Sequence, residues 1–251
     1  MAKILISGAN GRMGKKVKEA SDLNEFSTAV CGIDIACDFS NPNFPIYDSF
    51  DKVKEQVEVV VDFSAPACLN AVLDYCLKNN CPAVLCTTGY SELDIEKINS
   101  ASKKIAIFRS GNMSLGVNLI IDLVKKATAT LYGFDIEIIE KHHNQKVDAP
   151  SGTALMLADA AKEVMPEKEY NYGRQGICGK RDKKEIGIHA VRGGTIVGEH
   201  DVIFAGNYET VTISHQATDR SVFANGAIAA ANFIAGKKNG LYNMSDVINA
   251  K

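Results

Sequence analysis

Apolar residues in the amino-terminal part of the chain fall into short blocks separated by helix-spaced polar stretches. Ile4 to Ser7 is one such block; it ends in the glycine cluster Gly8, Gly11 and Gly14, after which Lys15 to Ser21 is patterned as a helix. The order strand, tight turn, helix follows. Thr28 to Ile33, Val57 to Phe63 and Ala83 to Cys86 read as further strands, with a helical pattern from Pro66 to Lys78 before the last of them. Ser91 with Asp94 has the form of a capping box opening another helix, and Lys104 to Phe108 is one more strand. Strands that alternate with helices predict a parallel, doubly wound sheet.

The pattern changes after Asn112. Ser114 can cap a helix whose Leu115, Leu119, Ile120, Leu123, Val124 and Ala127 share one face, and Asp135 to Glu140 then alternates as a half-buried strand. Ser151 opens a helix that Pro166 stops. Three strand-like runs follow without intervening helices, Ile186 to Val191, Thr195 to Phe204 and Glu209 to His215, so they should be mainly antiparallel. Gly226 to Ala235 is small and apolar enough for a buried helix returning to the first domain. The fold class is therefore α/β: a Rossmann-like, doubly wound parallel-sheet domain of residues 1–113 plus 222–251, with a second α+β domain of residues 114–221.

A hydrophobic content of 46% over 251 residues is enough for two modest cores. A net charge of −2 with scattered Lys and Arg gives no reason to expect nucleic acid. An anionic metabolite stays open. The seven cysteines form no C-x-x-C pair and their odd number suits free thiols in a reducing compartment. Without a signal-peptide pattern or a membrane-length apolar run, the chain reads as soluble and cytoplasmic, with no membrane partner.

Gly8-Ala9-Asn10-Gly11-Arg12-Met13-Gly14 stands between a strand and a helix. Glycines there let the backbone turn tightly and approach a pyrophosphate, whose charge the helix N–H groups stabilise. Asp34, ending the second strand, stands where a carboxylate accepts hydrogen bonds from an adenosine ribose. The spacing is G-x-x-G-x-x-G, which a purely structural turn also satisfies. Cys86-Thr87-Thr88-Gly89 and Ser110-Gly111-Asn112-Met113 follow strands and so fall at the ligand-binding edge of an open sheet, although Thr-Thr-Gly and Gly-Asn are also ordinary turn chemistry.

The richest run is Glu140 to Ala154, joining a strand to a helix. His142 or His143 can titrate near neutral pH, Lys146 carries a cation, and Ser151, Gly152 and Thr153 offer hydroxyls and N–H groups at a helix start. That combination suits a small substrate bearing carboxylates. A bland reading, Ser151 as a cap and the histidines as exposed loop residues, fits composition equally well. Metal is not expected: adjacent histidines on a strand point to opposite faces, and no H-E-x-x-H or cysteine ligand set is present. His189, His200 and His215 lie in predicted strands, where a structural hydrogen bond is the expected role.

The run E-x-H-H-x-x-K-V-D-A-P-S-G-T-A resembles the signature of the dihydrodipicolinate reductases. Further motifs occur in that family's order: G-A-x-G-R-M-G, Asp62-Phe63-Ser64-x-Pro66, Thr87-Thr88-Gly89, Asn112-x-Ser114-x-Gly116-Val117-Asn118, Arg192 to His200 and Arg220 to Ala227. The resemblance covers almost the whole chain. It implies that His142 is the general acid, Lys146 the second catalytic cation, and His143, Gly152 and Thr153 substrate contacts. Cofactor contacts would run along Gly8 to Met13, Asp34, Cys86 to Thr88 and Ser110 to Met113. It also implies reduction of 4-hydroxy-tetrahydrodipicolinate to tetrahydrodipicolinate with NADH or NADPH, in lysine and diaminopimelate biosynthesis, by a homotetramer joined through the second domain. Cys86 replaces the family's usual glycine and Met113 a frequent aromatic, and the short segment between Asp34 and Asp62 has no transferable contacts. Because Ile35 rather than an arginine follows Asp34, NADH should be preferred; Arg12 can partly offset this by swinging toward a 2′-phosphate. The rivals are another reductase of small carboxylates and a non-catalytic dinucleotide sensor, which would need no general acid.

Overall fold

The computed structural model describes residues 1–250. They form two compact units, one of Met1–Leu115 with the segment from Arg220 onward, the other Gly116–Asp219.

The first unit begins β1 (Ala2–Ser7), α1 (Arg12–Asp22), β2 (Ser27–Ile33), β3 (Ile46–Tyr47) and β4 (Val59–Asp62). After a 3-10 turn at Pro66–Cys68 come α2 (Leu69–Lys78), β5 (Ala83–Leu85), α3 (Glu92–Ser102) and β6 (Ala106–Arg109). The sheet also takes in β12 (Gly240–Tyr242) near the carboxyl terminus, and its order is β12-β6-β5-β4-β1-β2-β3. All its pairings are parallel.

Parallel strands covered on both faces need apolar residues at successive positions, and Ile4, Leu5 and Ile6 are all fully buried. Odd and even positions then serve different cores. Ile4, Ile6, Val59 and Val61 pack with Val17 of α1 and with α6 (Ser221–Ile234). Leu5, Val60, Ala83 and Leu85 pack with Val72, Leu73 and Cys76 of α2 and with Ile98 of α3. α6 is the small-residue buried helix that the alanine run predicts. Its Gly226 lies so close to the loop that follows β6 that a Cβ would sit 1.7 Å from the Met113 carbonyl oxygen. The short α7 (Met244–Ile248) closes the unit. The capping box at Ser91 and Asp94 is formed, with both reciprocal hydrogen bonds present.

The second unit is built on β7 (Asp135–His142), whose alternate residues Ile136, Ile138, Glu140 and His142 are buried. Around it the five strands are ordered β11-β10-β7-β9-β8, with β8 Glu169–Asn171, β9 Glu185–Arg192, β10 Gly198–Ala205 and β11 Thr210–Ala217. The expectation of a mainly antiparallel sheet is only half met. β10 is antiparallel to β7 and to β11, but β7 with β9 and β8 with β9 are parallel. α5 (Gly152–Val164) is the crossover that returns the chain from β7 to β8 in the same direction, and β9 then enters parallel between those two strands. Ala154, Leu157, Ala158 and Ala161 of α5 are fully buried against Ile136, Ile138 and Val202.

α4 (Leu115–Thr130) keeps Ile120, Val124 and Ala127 of the predicted stripe on its packed side and turns the leucines outward. Leu115, Leu119 and Leu123 are 41%, 48% and 42% exposed, while Val117, Ile120, Val124 and Thr128 form the buried side. The helix is apolar over much of its circumference, so spacing alone admits both stripes and packing selects one. All seven cysteines are free. No helix among the described residues is long and apolar enough to cross a membrane.

Candidate active site

The carboxyl ends of β1, β2, β4, β5 and β6 carry Gly8, Asp34, Phe63, Cys86 and Ser110, placing the predicted loops along one sheet edge. The glycine turn is shaped by contact. Gly8 has φ +80°, and a Cβ on it would meet the Phe63 carbonyl oxygen at 2.8 Å; one on Gly14 would lie 2.1 Å from the Gly8 carbonyl oxygen. A side chain at Gly8 would collide with the backbone after β4, and one at Gly14 would push α1 away from the turn. Gly11, the N-cap of α1, contributes no side-chain bond, so no capping oxygen competes for the first-turn N–H groups.

Asp34 ties the turn to β2. Its Oδ2 accepts from the Asn10 backbone N–H at 2.9 Å and its Oδ1 from the Ile35 N–H at 2.8 Å, while Asn10 Nδ2 donates to the Ala36 carbonyl. A cleft of about 920 Å³ opens beside it, lined by Gly8, Gly11, Asp34, Ile35, Phe50, Tyr75 and neighbouring residues. A second cleft of about 500 Å³ is lined by Arg12, Met13, Phe63, Ser64, Cys86, Thr87, Thr88, Ser110, Gly111, Asn112, Met113 and Phe223. Every predicted cofactor residue except Ala9 and Asn10 lines one or other cleft. Ala9 is 4% exposed and packs in the core, and Asn10 acts through Asp34.

Asp62 was not singled out as a site residue, yet it organises this edge. Its carboxylate is completely buried and accepts from Ser64 Oγ at 2.5 Å, Thr87 Oγ1 at 2.7 Å and Tyr90 Oη at 3.4 Å. It thus joins the loops after β4 and β5. The signal in the sequence is an acid ending the otherwise apolar run Val59 to Val61.

In the second unit the run from Glu140 folds into a compact polar centre. Glu140 is completely buried; its Oε1 accepts from the Ser151 N–H at 2.9 Å and from Arg192 Nη2 at 2.8 Å, and its Oε2 from Arg192 Nη1 at 2.8 Å. His142 Nδ1 lies 2.6 Å from the same Oε2. Burial alone would raise the Glu140 pKa, but the hydrogen bonds from Arg192, His142 and Ser151 outweigh it and hold the carboxyl below its ordinary range. The His142 ring stands edge-on to His200, with centroids 5.2 Å apart. His200 is pushed down to about 4, first by burial and then by the charge of His142. It is a neutral neighbour at physiological pH.

Ser151, expected to offer its hydroxyl to the substrate, is 2% exposed and turned inward. Its Oγ accepts from the Ala154 N–H at 3.1 Å and lies 3.0 Å from His200 Nε2, so it caps α5 and braces the polar centre. Gly152 stays exposed, and a Cβ there would meet nothing within 4 Å. Lys146 is paired with Asp148 at 2.8 Å, which holds the Asp148 carboxyl below its ordinary range. His143 lies just beyond the end of β7, half-buried. Sequence reasoning missed Glu140 and Arg192 here, although each stands inside a family motif; His200 makes, with Ser151, the structural hydrogen bond expected of it.

Comparison with known proteins covers both units. A family profile described as "Dihydrodipicolinate reductase, N-terminus" matches residues 2–113, and one described as "Dihydrodipicolinate reductase, C-terminus" matches residues 116–248. A 4-hydroxy-tetrahydrodipicolinate reductase of Caldanaerobacter subterraneus subsp. tengcongensis is 52% identical over 99% of this chain and 98% of its own length. The corresponding protein of Clostridium novyi is 50% identical over the full length of both. Among solved structures, a dipicolinate-bound dihydrodipicolinate reductase from Paenisporosarcina sp. TG-14 superposes with a TM-score of 0.81 at 26% identity, covering 97% of each chain.

Proposed function

This chain belongs to the dihydrodipicolinate reductase family, and from that premise we propose how its own residues carry out the reaction. The protein is an oxidoreductase that reduces 4-hydroxy-tetrahydrodipicolinate to tetrahydrodipicolinate in lysine and diaminopimelate biosynthesis. A hydride and a proton enter the ring and water leaves.

A nicotinamide dinucleotide suits the first unit, because the glycine turn has no room for side chains and the clefts on either side can take the two halves of such a ligand. When bound in its reduced form it supplies the hydride. The first-turn N–H groups of α1 hold the pyrophosphate. Thr87 donates its hydroxyl hydrogen to Asp62, so toward a carboxamide it offers only acceptor lone pairs, which match an amide N–H. The cleft beside Asp34 also carries Asp48, Asp51, Glu55 and Asp74 against the single cation Lys78. That acidic lining supports NADH over NADPH, whose extra phosphate it would repel.

In the second unit His142 donates the proton. Lys146, His143 and the backbone N–H groups at Gly152 and Thr153 hold the substrate carboxylates, Ser151 acting only as a brace. The Paenisporosarcina relative was solved with dipicolinate, and a planar ring with two carboxylates is what these donors would accept here. The observation that carries the assignment is the Glu140–His142–Arg192 centre at the start of α5, since a dinucleotide sensor has no use for a buried proton donor. We further propose a cytoplasmic homotetramer assembled through the second unit's sheet, whose β11 leaves Thr210, Val211, Thr212, Ser214 and Gln216 exposed.

The test is NADH oxidation with substrate made in situ by the upstream synthase. Turnover that requires both is expected, and no turnover with fresh substrate would remove the assignment. The same assay should give NADH a higher kcat/KM than NADPH, with Ile35→Arg improving NADPH selectively. A tenfold NADPH advantage in the wild type, about 1.4 kcal/mol, would contradict the cofactor proposal.

A further inference from the structure

A carboxylate has about four acceptor positions and no hydrogen of its own. Glu140 fills all of them: the Ser151 N–H and Arg192 Nη2 on Oε1, Arg192 Nη1 and His142 Nδ1 on Oε2. Two of the partners, an amide N–H and a guanidinium, can only donate. Oε1 meets only donors and Oε2 also takes Arg192 Nη1, and these bonds hold the carboxyl below its ordinary range, so Glu140 is ionised and the hydrogen it shares with His142 sits on Nδ1. The ring is thereby fixed in one tautomer, with Nε2 as its other end. Residue 198 keeps that end clear, because a Cβ in place of Gly198's hydrogen would lie 3.1 Å from Nε2.

We propose that Glu140 is a positioning residue for the reaction, holding His142 with Nδ1–H toward its own carboxylate so that the proton passes to substrate from Nε2. Arg192 completes the device by keeping Glu140 oriented and by tempering its pull on the imidazolium. The inference rests on reading His142 as the proton donor. A mere brace joining β7, β9 and α5 would need the same hydrogen bonds but would not govern how His142 titrates. The charged and titratable groups around His142 are Glu140 on β7, Arg192 on β9, His200 on β10, and Lys146 with its partner Asp148 on the following loop; His215 on β11 acts on His200.

The experiment is ¹⁵N NMR of histidine-labelled protein, tractable with five histidines, the His142 signal being identified by its loss in His142→Gln. Neutral His142 should show a protonated Nδ1 and a bare Nε2. Removing the negative charge in Glu140→Gln should lower its titration midpoint, and Arg192→Gln should raise it. In kcat/KM profiles, the loss of activity on the basic side should move in the same two directions, while NADH affinity stays unchanged. A wild-type tautomer protonated at Nε2 would overturn the proposal even if neither variant folds. So would a Glu140→Gln enzyme that is slower by one constant factor at every pH, with His142 titrating as before. The NMR readings need no substrate, so they remain interpretable if the assigned reaction itself fails.

Discussion

Burial holds His200 neutral, and this ties the stability of the second unit to pH. The folded protein binds a proton at His200 only near pH 4, whereas an exposed histidine does so near 6.5. Between those values the unfolded chain binds more protons, so stability should fall as pH drops from about 6.5 to about 4, by roughly 3 kcal/mol in all. Urea unfolding at stepped pH should show this slope in the wild type and a shallower one in His200→Gln. Equal slopes would mean that His200 is not held neutral. The polar run that joins β7 to α5 was legible in the sequence because His142, His143, Lys146 and Gly152 are contiguous there. The carboxylate that bonds His142 was not, because its meaning depends on Arg192, fifty-two positions away and brought alongside only by the parallel register of β7 and β9. Asp62 is similar: its partner Thr87 arrives from another strand.

At the scale of elements, the turn between β1 and α1 shows how little space the cofactor edge leaves. With a Cβ on Gly14 set to fall 2.1 Å from the Gly8 carbonyl oxygen, Gly14→Ala must displace α1 from the turn. NADH binding should weaken about tenfold or more, alongside a loss of stability of about 1 to 3 kcal/mol from overpacking. Calorimetric titration of the variant checks this, and unchanged affinity would show that the turn is not the pyrophosphate seat. The strand and helix alternation of the first unit was readable because buried parallel strands are apolar at every position. Short pieces such as β3, β8 and β12 were not, having two or three residues each and no period to display. The parallel pairing of β7 with β9 was hidden for another reason. The helix that returns the chain from β7 to β8, α5, was foreseen, but its role as a crossover depends on which strands it joins.

For the whole molecule, β11 presents a long, unpaired edge of the kind that soluble proteins cover or charge. If the tetramer forms there, light scattering should give four times the 27.1 kDa chain mass, and Thr212→Lys with Ser214→Lys should reduce it by setting like charges against each other. A monomeric wild type would contradict the assembly. The proposed mechanism assigns a part to each unit: a dinucleotide seat on the glycine turn of the first and a proton donor in the polar centre around Glu140 of the second. The most direct measurement is therefore the turnover of His142→Gln with synthase-generated substrate, set beside its NADH affinity. The expected result is a kcat lower by roughly 10² to 10⁴, the usual worth of general acid catalysis, with NADH bound as tightly as by the wild type. Wild-type kcat in that variant would contradict the account at its centre.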